Sequence, residues 1–218
     1  MFNNKLCFVL FSLALSGCQY IGPGIPGSGT IKREAREVQP FDRVSISGAA
    51  NFEILCGQPS GSCDVECDDN LLEHLATTVE DGELKIHFVR SVSTSQTLRV
   101  WLATEHLSKI SGSGSVAGKV EGLEESFTEV EMSGSAKLHC AGKVTKFEIH
   151  GSGSTAFDCL DLAADDVVVN ISGSGKASVH ANRTLKVAIS GSGSVMYLGT
   201  PEIEKSISGS GSVKLIEQ

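Results

Sequence analysis

The chain has 218 residues, enough for one or two domains. Its net charge is −8 and its one basic stretch is the short IKREAREV, which excludes a phosphate-neutralising face and with it nucleic-acid binding. Aromatics are only 6% while glycine reaches 24 residues, a balance that favours β structure with tight corners over a helical bundle.

The chain opens with Lys5 and an apolar run from Leu6 to Leu15, too short to span a bilayer as a stable helix. The run ends in Leu15-Ser16-Gly17-Cys18, which resembles the bacterial lipobox. That resemblance implies a signal peptide over residues 1–17, lipidation of Cys18, and acyl chains as the membrane anchor. Residue 19 is Gln rather than Asp. By resemblance to Gram-negative lipoprotein sorting, this implies the outer membrane, periplasmic or surface-facing. Residues 18–37, in which QYIGPGIPGSGT follows Cys18, read as a Gly/Pro-rich tether. The folded part is expected over 38–218, divided into N-terminal strands and a hairpin (38–105) and Gly-Ser coils (106–218).

In the first division, NFEILCGQPSGSCDVECDD reads as strand, turn, strand. A turn centred between Pro59 and Ser60 sets Cys56 opposite Cys63, Ile54 opposite Val65 and Phe52 opposite Cys67. Export permits disulfides, so Cys56–Cys63 is the candidate bridge. VEDGELKIHF reads as a turn at Asp81-Gly82 followed by a strand.

The second division is organised by one hexapeptide. ISGSGS or a near-copy begins at Ile110, Met132, Ile149, Ile171, Ile189 and Ile207, at separations of 17 to 22 residues, and ISGAANFEI at Ile46 is a weaker copy. Apolar residues alternate in phase on both sides, as in Val167-x-Val169-x-Ile171. A linker would keep neither period nor phase. The expected fold is therefore all-β, a parallel β-helix or β-solenoid with irregular coils of about 17–22 residues. Gly112, Gly134, Gly151, Gly173, Gly191 and Gly209 are its expected corner glycines.

PFDRVSISGAANFEILCG, then CDDNLLEHLATTVEDGELKIHF, then the repeated ISGSGS resemble the head GIN-domain family of bacterial auto-transporter-type adhesins, over roughly Val38 to Gln218. The resemblance implies an exported, often lipid-anchored protein with a β-helical fold. The cysteine hairpin is not part of that pattern.

Chemistry-bearing motifs are sparse. GSGSVAGKV misses the P-loop spacing, and Ala117 stands where a dinucleotide fingerprint needs its third glycine. The corners hold Ser where a calcium β-roll holds Asp. Cys63-x-x-x-Cys67 lacks zinc-site spacing. Cys140 and Cys159 read as core residues or a cross-coil pair. No cofactor and no metal are expected. The leading function is a non-catalytic binding, adhesion or structural module on the cell envelope. Its expected partners are the membrane through the lipid, an envelope or host-surface glycan or protein, and a second copy through the C-terminal SISGSGSVKLIEQ coil. The alternative is a carbohydrate-active β-helix enzyme using Asp158, Asp161, Asp165 and Asp166. Three or more convergent carboxylates and bases in a groove would favour that alternative.

Overall fold

The computed structural model describes residues 24–217. The expected signal peptide and Cys18 lie outside the described residues. The elements in order are β1 (Ile25–Pro26), β2 (Ile31–Glu37), β3 (Arg43–Cys56), β4 (Ser62–Asp68), a 3-10 turn (Asp69–His74), β5 (Leu75–Glu80) and β6 (Glu83–Phe88). They continue as β7 (Val92–Ser93), β8 (Leu98–Thr104), β9 (Lys109–Gly173), β10 (Lys176–Gly191), β11 (Ser194–Leu198), β12 (Glu202–Gly209) and β13 (Ser212–Leu215).

The N-terminal part mixes antiparallel pairs (β2–β4, β4–β8, β5–β6) with parallel ones (β1–β7, β3–β6, β3–β8). β5 and β6 form the hairpin at Asp81-Gly82, where φ values of 50° and 77° suit a primed turn whose twist matches the strands. The second hairpin read from the sequence is not formed. β8 lies between β3 and β4, parallel to the first and antiparallel to the second. Cys56 pairs with Thr104 and Cys63 with Leu102, so the two cysteines are two strands apart. That separation is about 9.6 Å, beyond the ~7 Å reach of a disulfide. Cys56, Cys63 and Cys67 are buried free thiols. Hydrophobic burial won over local turn closure here: Leu98, Val100 and Leu102 of β8 need a covered face, and inserting β8 covers it.

Two stretches of the segment expected as tether, Ile25–Pro26 and Ile31–Glu37, are in sheet. β1 pairs with β7, and β2 pairs along its whole length with β4. Asp68 anchors this edge. Its buried carboxylate accepts hydrogen bonds from Gly29 N (2.8 Å), Ser95 N (2.9 Å) and Ser95 Oγ (2.6 Å).

The parallel β-helix or β-solenoid is the larger correction. The main sheet has eleven strands and is mixed, with antiparallel β2–β4, β4–β8 and β5–β6 pairs. The Gly-Ser copies are not separate strand–corner–strand coils, because three of them lie within β9, one strand of 65 residues. The physical reason lies in the corners: glycine and serine are small enough to bend without interrupting the backbone pairing. β9 is accordingly not straight. A Cβ on Gly134 would sit 2.5 Å from Gly114 O, and one on Gly153 would sit 2.6 Å from Gly134 O, so the strand passes over itself.

In-phase residues fill the interior. Val167, Val169 and Ile171 of β9 pair with Leu185, Val187 and Ile189 of β10, and all six are buried. Sizes are matched between levels. A Cβ on Gly112 would overlap Met132 Sδ, and one on Gly118 would overlap the Phe52 ring.

Candidate functional site

Pairing fixes which Gly-Ser residues meet. Ser47 and Gly48 pair with Ser113 and Gly114, while Ser190 and Gly191 pair with Ser172 and Gly173 on one side and with Ser208 and Gly209 on the other. The close approaches of Gly134 to Gly114, Gly153 to Gly134 and Gly173 to Gly153 place Ser133 and Ser152 in the same line. One serine and one left-handed glycine therefore recur at seven successive levels. The glycine φ values run from 86° at Gly134 to 119° at Gly191.

This register corrects two of the expected corners. In the copies at Ile110 and Ile149 the left-handed residues are Gly114 and Gly153, and neither Gly112 nor Gly151 has a positive φ. Each of those two is buried in the inward line occupied elsewhere by Met132, Ile171 and Ile189. ISGSGS contains two glycines, and alignment on the first apolar residue selected the wrong one. Gly134, Gly173, Gly191 and Gly209 stand in the left-handed line.

A groove of about 750 Å³ runs along this stack, from Ser45 to Ser208. Seven levels at ~4.8 Å make it roughly 29 Å long. The serine line forms one wall. The other is the line two residues earlier: Ser45, Ser111, Glu131, His150, Asn170, with Ala188 and Ser206 beyond. Glu131 and His150 are the ionisable residues that line it. The Lys109 ammonium, 2.9 Å from Glu131, holds that carboxyl below the ordinary range, and Glu131 in turn raises Lys109.

Beside this wall stand Glu129 and Glu148, whose oxygens face His150 Nε2 at 3.7 and 3.8 Å. The residues converge because a shift of 19 residues sets Glu148 over Glu129 and His150 over Glu131, matching Gly153 over Gly134. Along the sequence Glu129 and Glu148 stand as isolated charges. Measuring separations against the stack's own period was the signal that could have joined them.

The aspartates weighed for catalysis do not converge on the groove. Asp158 and Asp161 face the two ring nitrogens of His139, at 3.5 and 3.8 Å. Asp166 pairs with Arg183 and accepts from Thr184 Oγ1 at 2.6 Å. None of the aspartates lines the groove.

Burial pushes the Cys56 thiol up to about 12, and Cys63 and Cys67 to about 11. Cys140 is raised by a hydrogen bond with Cys159 and by burial.

The family model described as "Putative auto-transporter adhesin, head GIN domain" matches residues 40–201. Among solved structures, a "putative adhesin" from Bacteroides fragilis is similar at TM-score 0.71 and 20% identity, covering 88% of this chain and 100% of that one. A "putative lipid binding protein" from Parabacteroides distasonis is similar at TM-score 0.56 and 24% identity, covering 88% of this chain and 99% of that one. A "putative adhesin" from Parabacteroides merdae is similar at 0.54 and 17%, covering 90% and 100%. At these identities the likeness shows the fold. No curated protein matches the chain.

Proposed function

The chain belongs to the auto-transporter adhesin head GIN-domain family, and from that premise we propose that it is a non-catalytic binding module of the cell envelope, anchored through lipid on Cys18, that lays an extended glycan strand along its serine-walled groove. The carrying observation is the serine line, an exposed hydroxyl on six successive levels of the groove, from Ser113 to Ser208. Every hydroxyl both donates and accepts, as does every sugar hydroxyl. Contacts at a ~4.8 Å spacing are weak singly and add along a polymer held by several at once.

The carboxylates near His150 are the feature on the side of a hydrolase. A general acid needs a carboxyl raised by its surroundings. Glu131, the carboxylate that lines the groove, is moved the other way by Lys109. The uncovered β12–β13 edge is the surface through which copies of the chain would associate.

The test is a glycan array probed with the delipidated Gln19–Gln218 chain beside Ser172→Arg/Ser190→Arg, which fills the groove. Binding of a glycan class by the wild type and its loss in the variant are expected. Equal binding by both, or none by the wild type, overturns the groove reading. An arm with phospholipid vesicles separates an acyl-chain ligand from a glycan. Palmitate labelling of the wild type against Cys18→Ala tests the anchor.

A further inference from the structure

Glu129, Glu148 and His150 are arranged in a way that salt bridging alone does not explain. Each carboxylate has one oxygen occupied by a lysine: Glu129 Oε2 lies 3.3 Å from Lys109 Nζ, and Glu148 Oε1 lies 2.6 Å from Lys146 Nζ. The remaining oxygen of each, Glu129 Oε1 and Glu148 Oε2, is turned to the same atom, His150 Nε2. The other ring nitrogen, Nδ1, lies 3.4 Å from the Asn170 amide, which orients the imidazole from the level above. At 3.7 and 3.8 Å the inner oxygens are too far from Nε2 for hydrogen bonds. Donor atoms bound to one tetrahedral cation at about 2.0–2.2 Å lie roughly 3.3–3.6 Å apart. The two separations from His150 Nε2 are therefore a few tenths of an ångström from the edge of a coordination triangle, and all three atoms lie within 4.8 Å of one another.

We propose that Glu129, Glu148 and His150 bind one divalent cation of the zinc class. One imidazole with two carboxylates favours such a borderline cation over the all-oxygen sets that calcium takes. The three side chains are half-buried on adjacent levels of the stack, which fixes their spacing. Lys109, Lys146 and Asn170 act as outer partners that aim the ligating atoms. Three protein ligands leave one position for water. Where the glycan reading of the groove holds, that position is also open to a sugar hydroxyl, since His150 lines the groove. Only this last step rests on that reading.

The experiment is a titration of the metal-free protein with Co²⁺, followed by its visible absorption and then by displacement with Zn²⁺. Saturation at one equivalent per chain is expected, with Ca²⁺ failing to displace it. His150→Ala and Glu148→Gln should each weaken binding more than tenfold. His139→Ala, which removes the other histidine with two carboxylate neighbours, should leave it unchanged. Far-UV circular dichroism establishes that each variant keeps its sheet. Ser172→Arg/Ser190→Arg should titrate like the wild type, so that a failed groove and a failed cation site are told apart. Absence of saturable binding in the wild type overturns the proposal. So does a His150→Ala titration equal to that of the wild type, which would mark an adventitious ion only.

Discussion

Lys205 stands opposite Val187 in the parallel pairing of β12 with β10, so on the outermost level a charged side chain takes the inward position that Val187 fills in the core. Its in-phase neighbours Ile203 and Ile207 pair with the buried Leu185 and Ile189, yet each is 38% exposed. Leu215 of β13 is 52% exposed. Among the described residues no strand covers this edge, and open backbone beside apolar side chains is a template for strand addition. An inward-pointing charge is one way such an edge is blunted, because any added strand must desolvate it.

Lys205→Val should therefore promote self-association through β12. Light scattering across a concentration series should show the variant dimerising, or aggregating, at a concentration at least tenfold lower than the wild type. Unchanged mass at every concentration would show that Lys205 does not guard the edge.

The glycine line permits strain and close approach to be measured separately. Gly48 has φ 105° and nothing within 4 Å of where its Cβ would stand. Gly173 has φ 109°, but its Cβ would lie 2.7 Å from Gly153 O. Gly48→Ala should cost only the left-handed backbone, about 1–2 kcal/mol. Gly173→Ala adds a backbone clash between levels and should cost clearly more, roughly 3 kcal/mol or above. Chemical denaturation of both variants decides it, and equal losses would mean that the levels can part.

That comparison also shows what the sequence could and could not reveal. The apolar phase and the left-handed glycines Gly134, Gly173, Gly191 and Gly209 were legible because each is a local property. Which glycine of ISGSGS takes the left-handed place at Gly114 and Gly153 was not, because both satisfy the local pattern and only the stacked neighbour decides. The antiparallel layer was hidden for a similar reason. β8 inserts between β3 and β4, and nothing in NFEILCGQPSGSCDVECDD reports a strand that begins only at Leu98. The cation triad needed the 19-residue register before Glu129, Glu148 and His150 could be seen as one group.

Asp68 should make the N-terminal edge acid-sensitive. The Ser95 hydroxyl, then the Ser95 and Gly29 amides, hold its carboxyl below the ordinary range. A depressed folded value contributes stability that is complete above the unfolded value of about 3.9 and is lost as pH falls through the folded one. Asp68→Asn should lower stability by about 1–3 kcal/mol near neutral pH. It should also flatten the decline in urea midpoint as pH falls below about 4. A parallel decline in both proteins would show that Asp68 does not carry the acid response.

The last prediction concerns Cys140 and Cys159. Gly153 passes over Gly134, and each cysteine lies six residues further on, so the two thiols are in register on neighbouring levels, hydrogen-bonded and buried. Adjacent strands at ~4.8 Å fall within the Cα separation that a disulfide spans, whereas Cys56 and Cys63 do not. In an oxidising envelope, exchange with an oxidised dithiol protein would join the two sulfurs, with two electrons and two protons passing to that partner. The bond would close a loop of about twenty residues, worth roughly 3 kcal/mol in the chain-entropy account. Burial shields the folded pair, so the exchange belongs to folding. Protein isolated from the envelope under thiol-blocking conditions should yield a linked Cys140–Cys159 peptide, with three free thiols among the five described cysteines. Five blocked thiols, or a linkage through Cys56 and Cys63, would refute the assignment.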